Sequence, residues 1–254
     1  MDGYAGNMVY VDLSTGAITI KPTPPELKKD YIGGRGFGIR ILTDMVDPKI
    51  DPLSDKNILV FAAGPLTGTG IPLGSRYEVS TISPLTGLAV SANSGGVFGW
   101  KLKKAGFDAV ILSGKSAKPV YLFLDNGKAE LRDAAHLWGK TTGETTEAIV
   151  DELKDQSVRV SCIGPAGENL VLISCIINEK TRAAGRGGVG AVMGSKNLKA
   201  VAARGDLPIK PADEVLLKGV KERVKKKIEE NGIAKGLHDY GTAVLVNILN
   251  ENYL

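Results

Sequence analysis

A chain of 254 residues can bury a sizeable core, and its 43% hydrophobic and 24% charged residues are ordinary for a globular protein. The net charge of +4 is too small to indicate a nucleic-acid partner. No apolar run reaches the roughly 18 residues of a membrane span, and the N-terminus does not resemble a signal peptide. The two cysteines fit neither a disulfide framework nor a C-x-x-C metal site, so the expected location is a reducing cytoplasm.

Glycine is the residue type whose number is unusual. The chain contains 32 glycines, well above the usual ~7%, and they occur in clusters without a collagen-like period. Such clusters predict tight turns and places where the backbone comes close to a ligand or to another segment.

Short apolar runs between glycine turns predict a protein made largely of strands. In the first half the predicted strands are 8–13, 17–21, 57–63, 77–82, 88–92 and 108–112, and the predicted helices are 26–31, a segment ending near 45, and 97–105. In the second half the predicted strands are 119–124, 128–132, 158–163, 170–178 and 199–203, with a helical turn over 191–196. An amphipathic helix is expected over 142–154, with Thr142 as its cap.

The sequence changes character after Gly205. Two prolines predict a linker, and Asp213 is a suitable helix cap. Apolar residues then recur at the spacing of an amphipathic helix, at Leu217, Val220, Val224 and Ile228. Residues 241–250 predict a further helical or extended element.

The densest glycine cluster is the stretch 182–190, with four glycines and two arginines in nine residues. It lies between a strand-like run and a predicted helical turn. A helix start offers free N–H groups to an anion such as phosphate, and arginines add bidentate contacts. The alternative is a tight strand-to-helix turn with surface arginines, and the stretch by itself does not decide between the two. The glycine turn at 33–38 has the same two interpretations, with close helix packing slightly favoured.

Two halves of the sequence repeat the same order of motifs. The corresponding segments are 63–65 and 163–165, 93–99 and 185–190, and 108–114 and 199–205. The repeat predicts two halves related by a pseudo-twofold axis, with two glycine-rich helix starts facing one ligand with two phosphates or two similar ligands. The alternative to a true internal repeat is that short glycine-rich motifs recur by chance.

Other known motifs fit the sequence poorly. The spacing of Gly185, Gly187 and Gly190 formally matches a dinucleotide fingerprint, but no run of alternating βαβ units surrounds it. The stretches Gly114-Lys115-Ser116 and Gly139-Lys140-Thr141 both lack the glycine five positions before the Gly-Lys pair that a P-loop requires. His136 and His238 are best explained as structural residues, and no acid–base pair is evident.

Six motifs in the same order resemble the N-terminal domain of the tungsten-containing aldehyde ferredoxin oxidoreductase family. They are AAGPLTG at 62–68, SPLTG at 83–87, ANSGG at 92–96, IGPAGEN at 163–169, RAAGRGGVGAVMGSK at 182–196 and YGTAVLVN at 240–247. The resemblance is specific because several long motifs occur in the same order, and it extends over nearly the whole chain.

The resemblance implies an α+β fold. A duplicated, β-rich domain with two pseudo-twofold-related halves, each a sheet with short helices, would occupy 1–207. The beginning of a helical domain would follow at 208–254. In that family the β-rich domain is a base on which a tungsten or molybdenum bis-pterin cofactor lies.

The resemblance also implies roles for individual residues. The family's arginine between the pterin and the iron–sulfur cluster would be Arg76, another cofactor-binding residue. Pterin and phosphate contacts would fall on Gly95, Arg182, Ala184 and Gly185. A bridging Mg²⁺, bound in part by backbone carbonyls, would lie at Asn93 and Ala183. These residue types suit the chemistry, because glycine permits close approach, carbonyl oxygens suit a hard cation, and arginine neutralises phosphate.

One departure from the family pattern is large. Its iron–sulfur cysteines form a C-x-x-C-x-x-x-C group with one distant cysteine, a spacing that Cys162 and Cys175 do not match. A 4Fe-4S cluster is therefore expected only with further C-terminal domains, and this chain alone should be inactive. The expected partners are those domains or subunits, ferredoxin, an aldehyde substrate and a second copy of the chain. The alternative function is a non-catalytic pterin-binding or assembly subunit or, less favoured, a dinucleotide-binding domain.

Overall fold

The computed structural model describes residues 2–253 and contains two six-stranded sheets. The elements of the first half are β1 (Asn7–Asp12), β2 (Ala17–Pro22), α1 (Pro25–Tyr31), α2 (Arg35–Met45), β3 (Leu59–Ala63), β4 (Tyr77–Ile82), β5 (Ala89–Ser94), α3 (Phe98–Lys104) and β6 (Phe107–Ser113). Those of the second half are β7 (Val120–Asp125), β8 (Lys128–Asp133), a 3₁₀ turn (Ala135–Leu137), α4 (Thr142–Leu153), β9 (Arg159–Cys162), α5 (Pro165–Glu168), β10 (Ile176–Asn178), β11 (Arg182–Ala184), α6 (Val189–Ser195) and β12 (Leu198–Arg204). The C-terminal part consists of α7 (Glu214–Glu229), α8 (Gly232–Tyr240), a 3₁₀ turn (Gly241–Val244) and α9 (Leu245–Glu251).

The two sheets have the same topology, which confirms the predicted duplication. The strand order is β2-β1-β6-β3-β4-β5 in one sheet and β8-β7-β12-β9-β10-β11 in the other. In each sheet the first and last strands of the half pair in parallel, β1 with β6 and β7 with β12, and the other pairs are antiparallel. The duplication extends beyond the repeated motifs, because the opening hairpins of the two halves also correspond.

The main core lies between the two sheets. Strands alternate their side chains between the two faces of a sheet, so Val110 and Leu112 of β6 face the main core with Val201 of β12. The other face of the first sheet packs against α1 and α2, and the outer face of the second sheet packs against α4. The two halves therefore share one continuous hydrophobic core.

Each half contains one buried ion pair, and one member of each pair occupies the same repeat position with the opposite charge. In the first half Lys103 Nζ lies 2.9 Å from Asp108 Oδ1, and neither side chain is exposed. In the second half Lys199, which occupies the repeat position of Asp108, forms a buried pair with Glu168. Both halves thus bury a charged side chain at this repeat position, and each half pairs it with a different residue.

Lys196, at the end of α6, joins the two halves. Its ammonium is buried and donates to the carbonyl oxygens of Asn57, at 2.5 Å, and Gly114, at 3.0 Å, both in the first half. Burial lowers the pKa of Lys196 to about 8, although Asp55 opposes the shift. The contact fixes the C-terminal end of α6 against the opposite sheet.

Three local predictions needed correction. The cap of α4 is Thr141, not Thr142, and it forms a capping box with Glu144. The predicted strand 170–178 is a strand only over Ile176–Asn178, because α5 and an exposed turn containing Ile173 precede it. α8 was not predicted at all.

The C-terminal helices differ from the rest of the described chain in their exposure. Asp213 caps α7 as predicted, and residues 241–250 are largely helical. None of the residues in α7, α8 and α9 is buried. Across residues 2–253, every helix is too short or too polar to span a lipid bilayer. The boundary at 207 and 208 stays a prediction.

Close backbone packing between α5 and α6 gives a stability prediction. A methyl group at Gly194 would lie 2.0 Å from the carbonyl oxygen of Gly167. The nearest atoms that the methyl group would meet belong to the backbone of Gly167 and cannot rotate away, so Gly194→Ala must separate the two helices. We expect the substitution to lower the free energy of unfolding by about 1–3 kcal/mol. Guanidinium-induced unfolding would measure the change.

The matched control is Gly219→Ala in α7. Nothing lies within 4 Å of the added methyl group there, so the substitution should gain up to ~1 kcal/mol of helix propensity if α7 unfolds with the domain. Equal effects of the two substitutions would contradict close packing at Gly194.

Candidate functional site

The candidate site lies where the outer strands of the two sheets meet. β5 ends the first sheet, β11 ends the second, and the two strands contact each other. Among the strands of residues 2–253, β5 pairs only with β4 and β11 only with β10. An outer strand keeps a row of backbone N–H and C=O groups without strand partners. Such groups can bind a flat polar ligand or, through carbonyl oxygens, a hard cation.

A glycine turn follows each of these strands and packs against the opposite half. A methyl group at Gly187 would lie 2.7 Å from Val90 of β5, and one at Gly96 would lie 2.6 Å from the carboxylate of Glu179. Both glycines have positive φ, +72° and +86°, which disfavours other residues. Internal packing therefore explains these two glycines.

Gly95 has no such explanation within the described residues. A methyl group there would meet no atom within 4 Å, and its φ lies outside the left-handed region. At Gly185 the nearest atoms would be at ordinary contact distance, 3.8 Å or more. Neither glycine is required by the fold itself, whereas a ligand lying directly on the backbone would require both.

Arg76 and Asn93 lie side by side at the start of β4 and the end of β5. Arg76 donates to Asn93 Oδ1, and Asn93 Nδ2 donates to Glu78 Oε1 at 2.8 Å. Glu78 also lies 3.9 Å from Arg35. These side chains line a pocket of about 240 Å³ beside Gly64. Since both ends of the Asn93 amide are engaged, its backbone carbonyl is the group that it can offer to a ligand.

The residues of β11 and its turn divide by exposure. Arg182, Ala183 and Gly185 are exposed, whereas Ala184 is buried in the main core. Arg182 forms no ion pair with any other residue between 2 and 253. Ala184 can reach a ligand only through its backbone, while Arg182 can offer a charged side chain.

At the two helix starts, several of the N–H groups expected to face phosphate are already hydrogen-bonded within the protein. At α3 the amides of Val97 and Phe98 donate to the carboxylate of Glu179. At α6 the first residues are buried and the amide of Gly190 donates to the carbonyl of Ser174. The backbone open to a ligand is that of the outer strands and of Gly95 and Gly185.

Sequence reasoning missed Asn178 and Glu179. Asn178 accepts from Ser94 Oγ at 2.6 Å and from Tyr77 OH at 3.1 Å, and it donates to the carbonyl of Gly95 at 3.0 Å. No local pattern indicates these partners, since they lie more than 80 residues away. Burial, the largest influence, raises the pKa of Tyr77 well above its usual value, so its hydroxyl remains a donor.

The cysteines and histidines do not form a metal site. Cys162 is buried, and burial raises the pKa of its thiol to about 11. Cys175 is half-buried and its thiol is also free. Within residues 2–253 no group of three His, Cys, Asp or Glu side chains could hold a metal ion.

The sheet topology removes the dinucleotide alternative. β11 pairs with β10 in an antiparallel manner, and the following α6 has only seven residues. A dinucleotide fingerprint requires a parallel βαβ unit with the helix start pointing at the ligand. Gly187 and Gly190 instead serve a closely packed strand-to-helix turn at the junction of the two sheets.

Comparison with known proteins agrees with this architecture. Residues 8–205 match the family "Aldehyde ferredoxin oxidoreductase, N-terminal domain". The tungsten-containing aldehyde ferredoxin oxidoreductase of Pyrococcus furiosus is 51% identical over 255 aligned positions, covering 100% of this chain and 42% of that protein. The counterpart from Pyrococcus abyssi is 49% identical with the same coverage.

More distant similarity includes a solved structure. The aliphatic sulfonate oxidoreductase, WOR-like subunit, of Pyrococcus furiosus is 36% identical, covering 82% of this chain and 36% of that protein. A chain in the active-site complex BamBC of benzoyl coenzyme A reductase, in complex with 1,5-dienoyl-CoA, has a TM-score of 0.88 and 42% identity. That match covers 90% of this chain and 35% of that chain.

These two tungsten-containing relatives match the whole of this chain but extend well beyond it. The chain spans about 42% of the length of the two tungsten-containing relatives from Pyrococcus. The family match includes both sheets and both glycine turns. The chain therefore belongs to the aldehyde ferredoxin oxidoreductase family and contains that family's N-terminal domain.

Proposed function

We propose that this chain is the cofactor-binding part of an aldehyde:ferredoxin oxidoreductase with a tungsten bis-pterin cofactor. The observation that carries the proposal is the junction of β5 and β11, where Gly95 and Gly185 have no internal packing reason to be glycine. Exposed Arg76 and Arg182 flank that junction. The identity of about half to tungsten-containing relatives supports the same function.

The residues at the junction have distinct roles in this proposal. The backbones of Gly95, Ala184 and Gly185 would contact pterin and phosphate, and the guanidinium group of Arg182 would neutralise phosphate charge. Arg76 would be the arginine between the pterin and the iron–sulfur cluster. The backbone carbonyls of Asn93 and Ala183 would hold Mg²⁺, since Mg²⁺ prefers oxygen ligands. When bound, the tungsten group supplies the oxidation of an aldehyde with water to a carboxylic acid.

The remaining parts of the reaction lie outside this chain. Other domains or subunits would hold a 4Fe-4S cluster, which would supply electron transfer to ferredoxin. We place the enzyme in the cytoplasm as a homo-oligomer, and molybdenum is the alternative metal. An assembly subunit that binds pterin without catalysis is the competing function.

Elemental and pterin analysis tests this function directly. Protein purified without oxygen from its source, in its native assembly, should contain tungsten with about two pterins per metal atom. It should oxidise aldehydes in the presence of ferredoxin or a low-potential acceptor. Tungsten and pterin without aldehyde oxidation would favour the assembly subunit, and the absence of both would contradict the proposal.

Arg182→Ala provides a residue-level prediction in the same holoenzyme. A charge-assisted hydrogen bond to phosphate contributes about 1.5–3 kcal/mol, so the variant should bind the cofactor roughly 10-fold to 100-fold more weakly. Arg186→Ala is the matched control, because Arg186 is an exposed arginine of the same glycine stretch without a proposed contact. Tungsten per chain after gel filtration measures the difference, and equal retention in both variants would refute the role of Arg182.

A further inference from the structure

Asn178 and Glu179 belong to the second half of the fold but contact the glycine turn of the first half. Asn178 is buried at the end of β10, and its amide donates to the carbonyl of Gly95 at 3.0 Å. Its oxygen accepts the hydroxyl of Ser94 at 2.6 Å. Two consecutive residues that follow Asn93 are thus fixed to the opposite sheet.

Glu179 fixes the next part of the same turn. Its Oε1 accepts from the amides of Val97, at 2.5 Å, and Phe98, at 2.6 Å. The second oxygen, Oε2, lies where a side chain at Gly96 would have to be. A carboxylate is favourable beside the first amides of a helix, so this contact holds the turn and the start of α3 in one arrangement.

The same two residues begin the hairpin that carries Arg182 and Ala183. Asn178 pairs with Arg182 in the register of β10 and β11, and Glu179 has a φ of +53° in the connecting turn. The chain therefore passes from the contacts with Gly95 to the strand with Arg182 within four residues. These contacts set the separation between the two outer strands.

We propose that Asn178 and Glu179 are positioning residues, which hold the Gly95 turn and the Arg182 strand at the separation that the bis-pterin cofactor requires. The inference rests on the function proposed above. Neither residue touches the cofactor in this proposal, and each acts through the backbone of residues 95–98. The carboxylate also occupies the amides of α3, so a cofactor phosphate is directed to the open backbone of the outer strands.

The contact is not repeated at the second glycine turn. There the neighbour of Gly187 is the apolar side chain of Val90, so a change of charge at Glu179 acts on the first turn alone. Glu179→Gln keeps the size of the side chain while it removes the charge and places an amide donor among backbone donors. This variant should therefore loosen one side of the cofactor site without removing apolar packing.

The test compares metal retention in the cofactor-loaded holoenzyme. After dialysis against EDTA, Glu179→Gln should retain Mg²⁺ and tungsten about 10-fold less well than the wild type, as is typical when a supporting residue behind a metal site is changed. Glu179→Asp, which keeps the carboxylate, should recover part of the loss. Glu147→Gln is the matched control, because Glu147 pairs with Lys180 at 2.5 Å and does not contact the glycine turn at Gly95 and Gly96.

A second measurement separates positioning from simple stability. The thermal midpoints of the cofactor-free forms of Glu179→Gln and Glu147→Gln should differ little, while cofactor retention differs clearly. Wild-type retention in Glu179→Gln, or the same loss in Glu147→Gln, would overturn the positioning role. The positioning role would also be overturned if the cofactor-free form of Glu179→Gln were so much less stable than the wild type that unfolding alone explained its lower metal retention. If wild-type protein carries neither tungsten nor pterin, the proposed function itself fails, and that result is distinct from both.

Discussion

Replacing Asp108 by alanine should lower the free energy of unfolding by about 3–5 kcal/mol, because the change leaves the buried ammonium of Lys103 without its partner. Asp108 also accepts from the amides of Ala5 and Gly6 and from the hydroxyl of Thr23. All three donors lose their acceptor in the variant. Chemical unfolding of the wild type and the variant would measure the difference.

The second variant in this test removes both charges. Lys103→Met combined with Asp108→Ala should recover part of the loss, since no unpaired charge remains buried. Asp44→Ala is the surface control, because Arg40 and Asp44 are both partly exposed and such pairs contribute less than about 1 kcal/mol. A loss at Asp108 as small as that at Asp44 would show that the buried pair does not support the fold.

The second large effect is a rise in stability with pH that depends on Lys196. Burial lowers its pKa from the ordinary 10.5 to about 8 in the folded protein. Between these values the unfolded chain still binds the proton that the folded chain has lost, so the free energy of unfolding rises with pH. The full change corresponds to ~3 kcal/mol in favour of the folded state.

Lys196→Met isolates this contribution from all other titrations. Denaturant unfolding at pH 8 and at pH 10.5 should show that the wild type gains stability relative to the variant by ~3 kcal/mol over this range. Lys225→Met is the control, because Lys225 is an exposed lysine of α7. A constant difference between the wild type and Lys196→Met over this pH range would rule out the mechanism.

The sequence determined the duplicated fold and most of the elements by itself. Gly-Pro turns at 64–65 and 164–165 and glycine turns after two strands occur at the same places in both halves. Apolar alternation locates strands because side chains must alternate between a core and an outer face. The hairpin of β7 and β8 was predicted from Asn126 and Gly127, which adopt positive φ as such a turn requires.

Local pattern failed where tertiary contacts decide the backbone. Residues 170–175 are as apolar as a strand, yet they form an exposed turn after α5 and pack against the backbone of α6 at Gly188 and Gly190. The α4 cap is a different case, because the spacing of Thr141 and Glu144 is the local sequence signature of a capping box and identifies Thr141 without any tertiary contact.

Only the tertiary structure decided which groups of the candidate site are open to a ligand. The motifs located Asn93, Gly95 and Arg182 in the sequence, but amides at both helix starts donate to other parts of the protein, to Glu179 at α3 and to Ser174 at α6. Glu179 reaches Val97 across 82 positions, and no spacing rule connects residues so far apart. Sequence patterns predict the local geometry of turns and strands. Whether a backbone N–H group is hydrogen-bonded within the protein also depends on which distant groups folding brings next to it.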